Sequence, residues 1–168
     1  AIVIVTPVNN IAYSGGPESD EGQLSDGVNA TLSFDKVESI TVTGTGVAGG
    51  TATISGTNAD NDISFTGTGA DDFTVSVDGG PAVQYNNFSI ANLNGRAGDD
   101  DIDLDLSNVT VTAINVSGGA PTAGGGDTVT LTGTVVGDAP TYTPGTANSG
   151  SFDTNTLATP VSLTNVEG

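Results

Sequence analysis

A strand–turn–strand phrase of 13 residues recurs along this chain, and it restricts the fold to short strands joined by repeated turns. The phrase is most complete at residues 83–95, VQYNNFSIANLNG, and an earlier copy of equal length is LSFDKVESITVTG at 32–44. A third begins at Val161, VSLTNVEG, and stops at Gly168. In register, Val83, Tyr85, Phe88 and Leu93 fall on Leu32, Phe34, Val37 and Val42, and the third copy supplies Val161, Leu163 and Val166. A chain that repeats itself in this way is expected to set copies of one small unit beside each other.

Within and between the copies, apolar residues alternate with polar ones. Phe73, Val75 and Val77 alternate with Thr74 and Ser76, and Ile102, Leu104 and Leu106 alternate with Asp103 and Asp105. That is the period of a strand with one face inward. Helix formers are scarce, with four Glu, two Gln, one Lys and one Arg in 168 residues. An all-β chain follows. Strands at this spacing fit a parallel β-helix (β-solenoid) or an immunoglobulin-like or jelly-roll β-sandwich. Repetition, recurrent Gly–Asp turns and outward Thr columns beside inward Ile, Val and Leu favour the solenoid, built as a single domain. Its stacked coils would align like residues ~4.8 Å apart. Residues 1–8 read as an apolar strand ended by Pro7, residues 9–30 as a surface loop, and residues 31–168 as the β domain. Within the last, the Pro-, Gly- and Thr-rich residues 137–159 read as an extended loop.

A net charge of −18, with 20 acidic residues offset only by Lys36 and Arg96, excludes nucleic-acid binding, which needs a basic footprint. The same charge invites divalent cations. No apolar run approaches the ~20 residues of a membrane helix, so no membrane insertion is expected. With no His and no Cys, the commonest nucleophiles and proton relays are missing, and the chain does not read as an enzyme. A β-helix polysaccharide enzyme would line its groove with aromatic and basic residues, whereas here most aromatics alternate into the expected core. The chain opens at Ala1 without an initiator Met, as a processed secreted protein or a piece of a longer one would. Its Thr-, Gly- and Asn-rich, Lys-poor composition is similar to that of bacterial surface and extracellular proteins. Sequons at Asn29, Asn87, Asn108 and Asn115 permit glycosylation.

The sharpest motif is GRAGDDDID at residues 95–103. It resembles the G-G-x-G-x-D-x-U-x nonapeptide of calcium-binding RTX repeats, with Gly98, Asp100 and Ile102 in place and Arg96 where a second glycine belongs. Weaker versions precede Ile63, Phe73 and Val129. The resemblance implies calcium held by Asp99, Asp100, Asp101 and Asp103, since that ion takes carboxylate and carbonyl oxygens. The copies here are separated, whereas an RTX roll shares ions between tandem turns. Asp and Gly serving only as turn residues is the competing expectation.

The truncated third copy carries a different implication. Read from Gly168 into Ala1, the chain continues VEG-AIVIVT and supplies the missing apolar strand. Ala1, Ile2, Val3, Ile4 and Val5 would then be donated to a neighbour whose acceptor includes Val161, Leu163 and Val166. The chain is similar in this respect to donor-strand pili. The expectation is a structural subunit of an extracellular filament or surface fibre, a helical homopolymer joined head to tail. The alternative is a calcium-stabilised adhesive or carbohydrate-binding repeat module of a larger secreted protein, with glycans as partners.

Overall fold

Strands whose apolar residues all point one way need a second apolar face to cover them. This chain supplies that face with two sheets. The structure, a computed structural model, describes all residues except 1, 6–9, 46–49, 121–125, 134–139, 146–147, 155–156, 158 and 167–168. The described residues contain 16 strands and no helix, and so none long and apolar enough to cross a membrane.

Sheet A runs in the order β1 (Ile2–Val5), β5 (Ser39–Thr43), β9 (Ala82–Asn86), β8 (Asp72–Val77), β7 (Asp62–Gly69), β11 (Asp101–Asp105) and β13 (Thr128–Thr132). Sheet B runs in the order β14 (Thr141–Pro144), β15 (Ser149–Asp153), β16 (Val161–Thr164), β12 (Ala113–Ala120), β10 (Ile90–Ala97), β6 (Thr51–Ser55), β2 (Asn10–Gly15), β3 (Gly22–Ser25) and β4 (Leu32–Phe34). Both sheets are mixed. The middle of sheet B, from β2 to β16, is entirely parallel, and its two ends are folded back antiparallel. In sheet A, the β7–β8 hairpin is inserted between β9 and β11, and the remaining neighbours are parallel.

Parallel register stacks like residues in columns. Tyr13, Ile54, Leu93, Val116 and Leu163 form one inward column of sheet B, and all are buried. Ile63, Ile102 and Val129 form another in sheet A, beside Phe65, Leu104 and Leu131. Thr, Ser and Asn occupy the outward columns, and there Asn115 donates its amide to Asn92 Oδ1 at 2.8 Å.

The stacking register is not the register of the sequence repeat. Val83 pairs with Ile40 and Tyr85 with Val42, not with Leu32 and Phe34. The three copies also divide between the sheets: β4 and β16 lie in sheet B, but β9 lies in sheet A. The repeated phrase is therefore a local strand–turn–strand habit rather than one coil of a stack. Leu32, expected inside, lies on the edge strand β4 and is 40% exposed. The surface loop expected at 9–30 is also replaced. Ile11, Tyr13 and Leu24 bury their side chains there, and β2 joins the parallel centre of sheet B. Within the expected loop at 137–159, the hairpin of β14 and β15 closes the other end of that sheet. The polar composition of both segments concealed short strands that carry apolar residues on one face only.

Aromatic rings fill the core between the inserted hairpin and β9. Phe65 stacks on Phe73 at 5.0 Å, Phe73 on Tyr85 at 5.1 Å, and Phe88 meets Tyr85 edge-on at 5.7 Å. The Tyr85 hydroxyl is buried there without a hydrogen-bond partner, and burial together with Tyr13 raises its pKa. An unpaired buried hydroxyl loses its water for nothing in return. Tyr85→Phe should therefore stabilise the protein by about 1 kcal/mol in urea unfolding. A loss of stability instead would mean that the hydroxyl has a partner.

Candidate functional site

Three corners stack where sheet B hands the chain to sheet A, and they share a pattern that begins with an inward apolar pair. It reads Ala52-x-Ile54-x-Gly56 before Asn61, Ala91-x-Leu93-x-Gly95 before Asp100, and Ile114-x-Val116-x-Gly118 before Asp127. The first two corners have the same length, and the third is four residues longer. Asn61, Asp100 and Asp127 each immediately precede a sheet A strand, so parallel register places them one above the next. All three are buried.

The two aspartates in this column each cap the corner before them. Asp100 Oδ1 accepts from the Asn61 N–H at 2.8 Å, and Asp127 Oδ1 accepts from the Asp100 N–H at 2.9 Å. Asn61 differs in being fully satisfied. Its Oδ1 accepts from Thr57 N–H at 2.8 Å, and its Nδ2 donates to Asp78 Oδ2 at 2.7 Å. The second oxygens of Asp100 and Asp127 have no hydrogen-bond partner among the described residues. Both press against a glycine, for a Cβ added at Gly95 or Gly118 would overlap Asp100 Oδ2 or Asp127 Oδ2. Burial pushes the Asp100 carboxyl up to about 6, opposed by the Asn61 N–H and reinforced by the Asp127, Asp60 and Asp78 carboxylates.

The four aspartates expected to hold calcium are not brought to one point. Strand alternation sends Asp101 and Asp103 outward and exposed, while Asp100 turns inward and Asp99 stays half-buried on the corner. Asp101 Oδ1 accepts from the Thr128 hydroxyl, and the Asp99 N–H donates to Asp60 Oδ1 at 3.0 Å. Among the described residues no three acidic side chains converge in a metal-holding group. The signal that would have found the corner is the recurrence of Gly followed five residues later by Asn or Asp, at Gly56/Asn61 and Gly95/Asp100.

Beside this corner lies a polar groove of about 590 Å³ lined by Thr57, Asn58, Asp60, Asp78 and Arg96 among others. The four sequon asparagines, Asn29, Asn87, Asn108 and Asn115, are all exposed. Asn87 sits in a turn at φ 62°, not in a strand.

The residues expected to assemble subunits divide into two groups. β1 lies in its own chain's sheet A, pairing Ile2 with Ile40 and Ile4 with Val42, and its other edge has no described partner. Ile2 and Ile4 are half-buried, Val3 is 72% exposed, and Ala1 lies outside the described residues. Val161 and Leu163 belong to β16, whose two edges are taken by β12 and β15, so β16 cannot accept a strand as it stands. The terminal strand of sheet A at that end is β13, which among the described residues pairs only with β11. Leu163 and Val166 do reach the end of the core, where with Val129, Tyr142 and Phe152 they line an apolar cavity of about 340 Å³.

Comparison with protein-family models, curated proteins and solved structures found no match.

Proposed function

We propose that the chain is a structural subunit of an extracellular filament or surface fibre, wound as a β-solenoid and joined head to tail. The observation that carries the reading is the pair of terminal strands of sheet A, whose outer edges have no partner among the described residues. β1 and β13 lie at opposite ends of that sheet and run in the same direction, because β9, β8 and β7 reverse the chain twice between them. A neighbour's β1 laid against β13 adds one more parallel strand. It sets Ile2 beside Val129 and Ile4 beside Leu131, continuing both inward columns, and covers the apolar cavity at that end. The contact is heterologous and does not close on itself, so repetition gives a helical homopolymer.

Exposed edges invite pairing, and folded chains ordinarily blunt them with charge, proline or a cover. In sheet B the edge strand β14 ends on Pro144 and the edge strand β4 is only three residues long. The β1 strand, IVIV, carries neither charge nor proline. The extracellular setting rests on the composition and on the exposed sequons.

With a charge of −18 on every copy, subunits repel, and assembly should rise with salt as that repulsion is screened. Deleting residues 1–7 should leave a folded monomer, since β1 is an edge strand, and should abolish filaments in negative-stain electron microscopy. Val129→Asp with Leu131→Asp on the acceptor edge should do the same. Filaments from the deletion variant, or none from the intact chain at any ionic strength, would refute the reading.

A second reading, an adhesive or carbohydrate-binding module, draws on the polar groove beside the corner. Carboxylates, a guanidinium and amides facing one space of about 590 Å³ suit a hydroxyl-rich ligand.

A further inference from the structure

We infer that the outer face of sheet B is a contact surface for a second copy of this chain, and that copies associate back to back through it. The parallel strands β2, β6, β10, β12 and β16 present Ala12, Thr53, Asn92, Asn115 and Ser162 in one outward row. The row beside it, from Ser14 to Thr164, carries four hydroxyls and one amide. None of these five strands holds an acidic residue, in a chain that has 20. The charged residues in the strands of sheet B, Arg96 and Asp153, fall near the end of β10 and at the end of β15. Sheet A is the opposite, with Asp62, Asp101 and Asp103 exposed on the outer face of the neighbouring strands β7 and β11.

That difference selects the partner. Two copies at −18 each repel wherever carboxylates meet, and the outer face of sheet B brings none together. Carboxylates only accept hydrogen bonds, so the sheet A face cannot pair with its own copy. Hydroxyls and amides both donate and accept, so the sheet B face is self-complementary about a two-fold axis. Part of it is set in advance: Asn115 donates to Asn92 Oδ1 at 2.8 Å, and Asn92 donates to Thr53 Oγ1 at 3.4 Å. Side chains already held in a row lose less freedom on contact. Asn115 is also the sequon asparagine that lies in a strand, whereas Asn29, Asn87 and Asn108 lie between strands. Its amide nitrogen, where a sugar would be joined, is the atom bonded to Asn92.

Size sets the strength. Five strands ~4.8 Å apart and about five residues long offer roughly 400 Å² per copy, about half of what a stable complex buries on each partner. Separate copies therefore associate weakly, with a Kd on the order of 1 mM. In fibres the contact repeats along the length and avidity gathers them into bundles, a step that alone rests on the fibre reading above.

Amide NMR of the natural protein from about 0.05 to about 1 mM tests the contact without fibres, in about 0.15 M salt to screen the net charge. Thr53, Asn92 and Asn115 should shift with concentration, while Ser64 and Asp103 on the outer face of sheet A should not. Thr53→Lys with Asn115→Lys should abolish the shifts. Ser64→Lys with Thr66→Lys, which lowers the negative charge by the same amount on the exposed face of β7, should retain them. In negative-stain images, fibres of the natural protein should lie in bundles and those of the Thr53→Lys, Asn115→Lys variant should run singly. The absence of concentration-dependent shifts in the natural protein would overturn the inference, as would equal loss in both double variants. A sugar found on Asn115 by mass spectrometry would also overturn it. Shifts on this face produced only by adding a neutral glucan oligosaccharide would replace the second copy with a saccharide.

Discussion

Replacing Gly119 with alanine should lower stability by about 3–5 kcal/mol, a drop of roughly 6–20 °C in Tm. Gly119 has φ 120° and pairs with Arg96 across β10 and β12, at the centre of sheet B. Two penalties combine there. A left-handed backbone strains any residue with a Cβ. That Cβ would also overlap the Arg96 carbonyl oxygen and approach the Arg96 Cα to 2.8 Å, both backbone atoms that cannot swing aside. Relief requires prying β10 from β12, the strands that carry the stacked corner. Gly27→Ala separates the two effects. Gly27 has φ 75° but nothing within 4 Å of an added Cβ, so only the conformational penalty of about 1 kcal/mol applies. Equal losses in the two variants, measured by urea unfolding, would show that the Gly119 clash relaxes freely.

Leu93→Ala should remove about 2–5 kcal/mol. Leu93 is 1% exposed and lies between Ile54 and Val116 in the middle of its column, with rungs on both sides that cannot collapse into the gap. Leu131→Ala removes the same atoms at the last rung of sheet A, where the side chain is only half-buried and has a stacking neighbour on one side. It should cost under about 1.5 kcal/mol, because less area leaves water-free surroundings and the open end can adjust. The contrast is checked by the urea midpoint at unchanged slope. If copies assemble through β13, Leu131→Ala should also weaken filaments while leaving the monomer nearly intact.

Much of the strand content was legible in the chain because alternation reports one property, which face of a strand is dry. Phe73, Val75 and Val77, or Ile102 and Leu104, need only that rule. It failed where a strand is short and mostly polar, as in β3, β14 and β15, whose few inward residues do not stand out from loop composition. The corner was half-legible. The GDDD motif marked it, but read as a metal motif it grouped Asp99, Asp100, Asp101 and Asp103 by proximity in sequence. A strand starting at Asp101 sends its neighbours to opposite faces, so the partners of Asp100 come instead from 39 residues before and 27 residues after, at Asn61 and Asp127.

What the sequence by itself determined is the all-β class, the inward faces of the longer strands and the excess of negative charge, since each depends only on which residues are present and on a period of two. The tertiary structure alone decided which strands lie side by side. It set Ile40 against Val83 instead of Leu32 against Val83, buried Asp100 over Asp127, and left β1 and β13 as the terminal strands of sheet A. The physical reason is that strand pairing is chosen by how whole faces and corners pack together, and a repeated phrase of mostly interchangeable apolar residues cannot encode that choice locally.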